Sequence, residues 1–153
     1  MADAPALARL LDDPALANAM ESVALPFTEA DARARIETRT CGPDRFTLAI
    51  RRRGDGTPIG EIAAAARAGE EVPRLALFVA PTWQGEGFGA EALAAALEHA
   101  FRALGWGALE ADAHHANLAS LRVLAKTGFR RASGAARLPG HLNHSITRAA
   151  WEA

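Results

Sequence analysis

The chain has 153 residues, half of them apolar and 23% charged, which suits a single domain over 1–153 and leaves too little chain for a second. Its formal net charge of −1 supplies no broad field for nucleic acid or an anionic membrane, so an anionic ligand must be held locally. Cys41, the one cysteine, excludes an internal disulfide, and Met1-Ala2-Asp3-Ala4-Pro5 shows no basic region followed by an apolar run; the expectation is a soluble, cytoplasmic protein.

From Ala6 onward Leu7, Leu10, Leu11, Leu16 and Met20 recur at helical spacing, with Asp12-Asp13-Pro14 dividing them into two helical pieces. Thr28, with Asp31 after it, opens another helix that Ile36 carries toward Thr38 before Gly42-Pro43 stops it. A strand over Phe46 to Ile50 runs into the basic Arg51-Arg52-Arg53, read as a solvated strand end. Gly54-Asp55-Gly56 then turns the chain into a second strand, Ile59 to Ala65. Arg74 to Val79 is apolar on both faces from Leu75 on, as a central strand is. Leu93, Leu97, Ala100, Phe101 and Leu104 mark the clearest helix, closed by Gly105 and Gly107. A strand over Leu109 to Ala113 and a helix over Leu118 to Lys126, stopped at Gly128, follow. The chain is expected to finish in a hairpin, with strands near Arg130 to Arg137 and Ser145 to Trp151 joined through Leu138-Pro139-Gly140.

Between the central strand and the clearest helix lies Gln84-Gly85-Glu86-Gly87-Phe88-Gly89-Ala90. Glycines let such a loop curl with its amides inward, and the helix start adds unsatisfied N–H groups and partial positive charge, which together make a cradle for a pyrophosphate. The plain alternative is a glycine-rich turn. Gly85-x-Gly87-x-x-Ala90, with Asp112 further on, also matches a dinucleotide fingerprint. That reading fails because Pro81-Thr82-Trp83 separate strand from glycines, hairpin strands precede them, and too few residues remain for a second half. A nucleoside-triphosphate loop is excluded, since no Gly-Lys-Ser or Gly-Lys-Thr follows.

In these residues the chain resembles the GNAT superfamily of N-acetyltransferases, whose coenzyme A signature is Gln or Arg, two residues, Gly, one residue, then Gly or Ala. Gln84-x-x-Gly87-x-Gly89 meets it in full. The longer run from Trp83 to Leu93, with Asn117 to Ser120 and Lys126-Thr127-Gly128-Phe129, is similar to the branch acetylating ribosomal-protein N-termini at alanine or serine. The resemblance implies an α+β fold: a mixed, mostly antiparallel sheet flanked by helices, with one parallel strand pair, before and after the long helix, splayed apart. It implies acetyl-CoA as cosubstrate. Backbone groups of Phe78 and Val79 would face the pantetheine arm, the amides of Gln84, Gly85, Glu86, Gly87, Phe88, Gly89 and Ala90 would hold the pyrophosphate, and Asn117 and Ser120 would flank the arm. Asn117 equally suits an N-cap before Leu118. The family usually carries an edge strand ahead of the first helix, and the resemblance leaves two expectations: that the protein lacks this strand, with a partner chain covering the edge, or that its start is misassigned.

Direct transfer needs a neutral amine, a donor for the developing oxyanion and a route for the amine proton. By the resemblance, the donor is a backbone amide near Val79 or Ala80, and Ser120 or water protonates the departing thiolate, because Leu124 stands where relatives have an acidic tyrosine; Ser120 also suits a plain reading as a solvated residue on the first turn of its helix. Glu61 is the first candidate for the base, against a plain reading as a solvated strand residue; His141 and His144 are further ones. Adjacent His114 and His115 should point to opposite faces of a strand, and no metal site is expected. The expected partners are acetyl-CoA and an amine acceptor, without nucleic acid or membrane, in a monomer or homodimer. A peptide or protein N-terminus is the first choice of acceptor and a small-molecule amine the second; a non-catalytic acyl-CoA-binding or sensing domain is the alternative of another class.

Overall fold

A computed structural model describes residues 2–20, 22–39 and 41–153 of the chain. The two leading helical pieces are α1, Ala4–Leu11, and α2, Pro14–Ala19, divided as the Asp-Asp-Pro sequence requires; Asp13 caps α2 by accepting from the amides of Ala15 and Leu16. The next helix, α3, spans Glu29–Thr38 and starts in a reciprocal capping box: Thr28 Oγ1 accepts from the Asp31 amide, and the Asp31 carboxylate accepts from the Thr28 amide. Strands β1, Arg45–Arg51, and β2, Pro58–Ala65, form the expected hairpin, and β3, Arg74–Val79, lies antiparallel to β2. After a 3-10 turn at Pro81–Trp83 come α4, Phe88–Glu98, and a π-helical turn over His99–Ala103 closed by the Leu104 amide on the His99 carbonyl at 3.0 Å. Then follow β4, Ala108–His114; α5, Leu118–Lys126; β5, Arg130–Arg131; β6, His141–Thr147; and α6, Arg148–Glu152.

The C-terminal hairpin differs from its expectation. Its first strand is only β5, the second begins at His141 rather than Ser145, and the segment to Trp151 is helical. Thr147 explains the switch: its hydroxyl accepts from the Ala150 amide at 3.1 Å, an N-cap that starts α6 within the span expected as strand. Trp151 then packs against Phe101, with ring centroids 5.5 Å apart.

The six strands form one mixed sheet in the order β1-β2-β3-β4-β6-β5, in which β3 and β4 are the one parallel pair. One core lies between the sheet and α4 to α6, built on Ile62, Leu75, Leu93, Leu97, Phe101, Leu109 and Ile146; another lies under α1 to α3, where Phe78 meets Leu7, Leu11, Leu16 and Phe27. Among the described residues, β1 at one edge is the first strand, and no helix is long and apolar enough to cross a membrane.

Where β3 and β4 meet, an ion network fastens the sheet. Arg74 reaches Glu110 at 3.0 Å and Asp112 at 2.6 Å, and the Arg137 guanidinium donates to Glu70, with Nε at 2.9 Å. Hydrogen bonds from Arg137, and more weakly the Arg67 amide and the charge of Arg74, hold the Glu70 carboxyl down to about 2. A depressed folded-state value means that the unfolded chain takes up the proton first. The stabilisation is therefore complete above about 4.5 and is lost as pH falls toward 2. Thermal unfolding of Glu70→Gln across pH 2 to 7 should show a Tm lowered at neutral pH, by about 1–2 kcal/mol in stability after solvent screening, with the deficit disappearing at the acid end.

Candidate active site

Strands β3 and β4 pair only at Arg74 with Glu110 and Leu75 with Ala111; beyond these residues they part. The same register carried onward sets Phe78 and Val79 across the gap from His114 and His115. Alternation in the antiparallel β2–β3 ladder decides which backbone groups face that gap. The Ala80 amide donates to the Ile59 carbonyl at 2.7 Å, so Ala76, Phe78 and Ala80 turn their peptide groups toward β2, and Leu77 and Val79 turn theirs toward β4. Of the two amides expected as oxyanion donors, Ala80's is thus committed to β2, and Val79's faces the gap. The Val79 carbonyl accepts from Gln84 Nε2 at 2.8 Å, which folds the loop back onto the strand.

The glycine loop sits at the open end of this gap. Gly85 and Gly87 have φ of +80° and +88°, conformations that side-chain-bearing residues rarely adopt, and a Cβ at either would meet open space. Gly87 is the residue from which α4 starts, so the first amides of α4 emerge at the loop unsatisfied by the helix itself. Gly89 lies close over Leu77 and Val79, its ideal Cβ position 3.8 and 3.9 Å from their side chains, which seats the helix start directly on the strand. A cavity of about 420 Å³ runs along α4 from Gly87 and Ala90 past Ala94 to Lys126, the last residue of α5, and Thr127 just after it. Phe88 packs edge-on against Trp83, Glu86 is exposed, and Arg52 stacks over the Trp83 ring at 4.4 Å. Arg53 pairs with Glu91 and Arg51 with Asp3, so the basic run is partnered as well as solvated.

Asn117 is an N-cap: its Oδ1 accepts from the Ser120 amide at 3.1 Å, which leaves its Nδ2 available. Ser120 lies partly buried on the first turn of α5, and Leu124, on the same helix, is buried in the core. Glu61 departs from its plain reading as a solvated strand residue. It is buried, and its carboxylate accepts from Arg35 Nη2 at 3.0 Å and from Arg39 Nη1 at 3.1 Å, while Arg35 also donates to Ser22. A carboxylate so engaged must break an ion pair before it can accept a proton.

The histidines also depart from expectation. His114 and His115 do not point to opposite faces; their rings stack with centroids 4.4 Å apart, because β4 ends at His114 and strand alternation ends with it. His141 is the β6 register partner of His114, their rings edge to face at 5.3 Å. Its neighbour on the same strand face, Asn143, is buried, and its side-chain amide has no hydrogen-bond partner among the described residues. Among the described residues no group of three His, Cys, Asp or Glu side chains is placed to hold a metal ion.

Residues 1–130 match the Acetyltransferase (GNAT) domain. The chain belongs to the GNAT acetyltransferase family. GNAT domains use acetyl-CoA as cosubstrate, and the parted β3–β4 pair with a glycine loop at its end is the feature of this chain suited to a long thioester. Among solved structures, a GNAT-family acetyltransferase from Bacillus anthracis is similar over 96% of this chain and 90% of that one, at 21% identity and a TM-score of 0.80. A chimeric spermidine N-acetyltransferase containing Vibrio cholerae sequence covers 99% of this chain and 93% of its own, at 13% identity and a TM-score of 0.77. A ribosomal-protein alanine acetyltransferase from Vibrio fischeri matches 82% of this chain and 75% of its own, at 18% identity and a TM-score of 0.65. At such identities the likeness is one of fold. No curated protein matches the sequence significantly.

Proposed function

We propose that this GNAT acetyltransferase moves the acetyl group of acetyl-CoA directly to a primary amine, with a peptide or protein N-terminus as the acceptor. The carrying observation is the gap itself: Val79 presents its amide across an unpaired stretch of sheet, and the positive-φ glycine loop opens at its end. The amides from Gln84 to Ala90 hold the pyrophosphate, and the free Nδ2 of Asn117 contacts the arm. Because the Val79 amide is fixed by its strand, it is already aimed when negative charge develops on the thioester oxygen and needs no reorganisation there. The Ser120 hydroxyl donates to the departing sulfur. Glu61 acts through Arg35 and Arg39, holding α3 against the sheet, rather than by taking a proton. The motifs from Trp83 to Phe129, which resemble those of the ribosomal-protein branch, favour the N-terminal acceptor.

Thiol release from acetyl-CoA, followed over a panel of peptides beginning with alanine or serine, blocked lysine peptides and spermidine, tests this reading. Turnover is expected with free N-termini, and Ser120→Ala should lower kcat about 100-fold with little change in acetyl-CoA affinity. Acetyl-CoA binding without thiol release on any amine would make the protein a sensing domain instead.

A further inference from the structure

We propose that His114 is a positioning residue: its neutral ring fixes the turn between β4 and α5 and so sets Asn117 and Ser120 at the gap, and a proton on that ring releases them. This rests on the acetyl-transfer reading of the same gap and adds to it a residue that governs the site through the backbone.

β4 ends at His114 and α5 starts at Leu118, so one turn, His114-His115-Ala116-Asn117, carries the chain from sheet to helix. Its first residue supplies two of its fastenings. The His114 carbonyl accepts from the Asn117 amide at 2.9 Å, which closes the turn, and His114 Nδ1 accepts from the Ala116 amide at 3.1 Å. A side-chain acceptor for the amide two residues ahead is the device by which asparagine and aspartate hold turns; an imidazole performs it here. A third fastening comes from outside the turn, where the Gly140 carbonyl accepts from the His115 amide at 3.1 Å. Asn117 then caps α5 through the Ser120 amide, so the turn that His114 holds decides where the first turn of that helix stands.

The surroundings keep the ring in the pose that this bond requires. His115 stacks on it with centroids 4.4 Å apart, and His141 of β6 meets it edge to face at 5.3 Å. A Cβ built at Gly140 would stand 3.1 Å from His114 Nε2, so a glycine there leaves the ring its place.

Nδ1 accepts only while it keeps its lone pair, so the neutral ring carries its hydrogen on Nε2. Protonation makes both nitrogens donors, and an N–H at Nδ1 then opposes the N–H of Ala116. The turn loses its side-chain fastening, and the start of α5 is held by one bond fewer. The titratable groups packed against the ring are His115 of the turn and His141 of β6; positive charge on either, beside a charged His114, drives the rings apart. Along β4, Glu110 and Asp112 share the alternation of His114 and are engaged already: both pair with Arg74, and Asp112 also accepts from the Arg137 amide.

The test uses the full chain and separates ring, acceptor and proton. His114→Phe keeps a ring that can stack but has no acceptor. At pH 8 it should bind acetyl-CoA about fivefold more weakly than the parent and turn over an alanine-initiated peptide about tenfold more slowly. His114→Asn offers Oδ1 to the same amide and takes no proton, so at pH 8 it should stay within about twofold of the parent in both quantities. Between about pH 8 and 5, where an imidazole gains its charge, the parent should lose about fivefold more acetyl-CoA affinity than His114→Asn, a comparison that cancels the ligand's own titration. The Ala116 amide resonance should shift over that range in the parent and stay in place in His114→Asn. Should His114→Phe fail to fold, the other two comparisons decide. Parent-like behaviour of His114→Phe, His114→Asn as impaired as His114→Phe, equal pH dependence in parent and His114→Asn, or an Ala116 shift that persists in His114→Asn would overturn this proposal alone. A parent that binds no acetyl-CoA overturns the transfer reading and, with it, the bearing of the turn on the site.

Discussion

Gly87→Trp should weaken acetyl-CoA binding at least about 100-fold, a loss of roughly 2.7 kcal/mol, while the protein stays folded. Gly87 has φ +88° and its missing side chain faces open space at the mouth of the cavity along α4, so an indole there occupies the cradle rather than the core. An amide hydrogen bond to a charged oxygen contributes about 1.5–3 kcal/mol, so shielding two of the amides from Gln84 to Ala90 accounts for the whole effect. The left-handed backbone itself costs a non-glycine residue about 1–2 kcal/mol, which lowers Tm by a few degrees without unfolding the domain. Gly87→Asn separates the causes: asparagine tolerates this conformation and is small, so it should keep most of the affinity. Calorimetric titration with acetyl-CoA beside thermal unfolding reads both quantities. Parent-like affinity in Gly87→Trp would remove the glycine loop from the site.

What the sequence made legible was local. The capping box of Thr28 and Asp31, the hairpin at Gly54-Asp55-Gly56 and the apolar stripe of α4 each depend on residues a few positions apart, and each stands where the spacing predicts. The glycine loop was equally readable, because strand, positive-φ residues and helix start are consecutive. Elements that depend on distant partners were not. Arg35 and Arg39 stand 26 and 22 residues from Glu61, and nothing around Glu61 signals that two guanidiniums converge on it. The same holds for His114 and His141, which only the β4–β6 register brings together. Their grouping with His115 was missed for another reason: alternation was extended one residue past the end of β4. At the C-terminus, the strand expected over Ser145 to Trp151 gives way to α6 after Thr147, whose hydroxyl is a cap signal legible in the sequence.

Gly60→Ala is expected to lower stability by about 3 kcal/mol, or roughly 6–12 °C in Tm, and to damage acetyl-CoA binding as well. A Cβ built at Gly60 would stand 2.2 Å from the Phe78 carbonyl oxygen and 3.1 Å from the Val79 Cα. Both obstacles are backbone, so no side chain can swing aside, and one strand must move from the other. β2 is held on its far side by its full ladder with β1, whereas beyond Leu75 the outer edge of β3 has no partner strand. The displacement therefore falls on β3 and pushes Val79, the register partner of Gly60, toward β4. That shift narrows the opening and turns the Val79 amide, so stability and ligand affinity fall together through one steric contact. Gly54→Ala is the control: a Cβ there meets nothing within 4 Å, and its effect should stay within about 0.5 kcal/mol. If Gly60→Ala loses stability but binds acetyl-CoA like the parent, the opening is not set by the approach of β2 to β3, and the position of Val79 must be governed from the loop through Gln84.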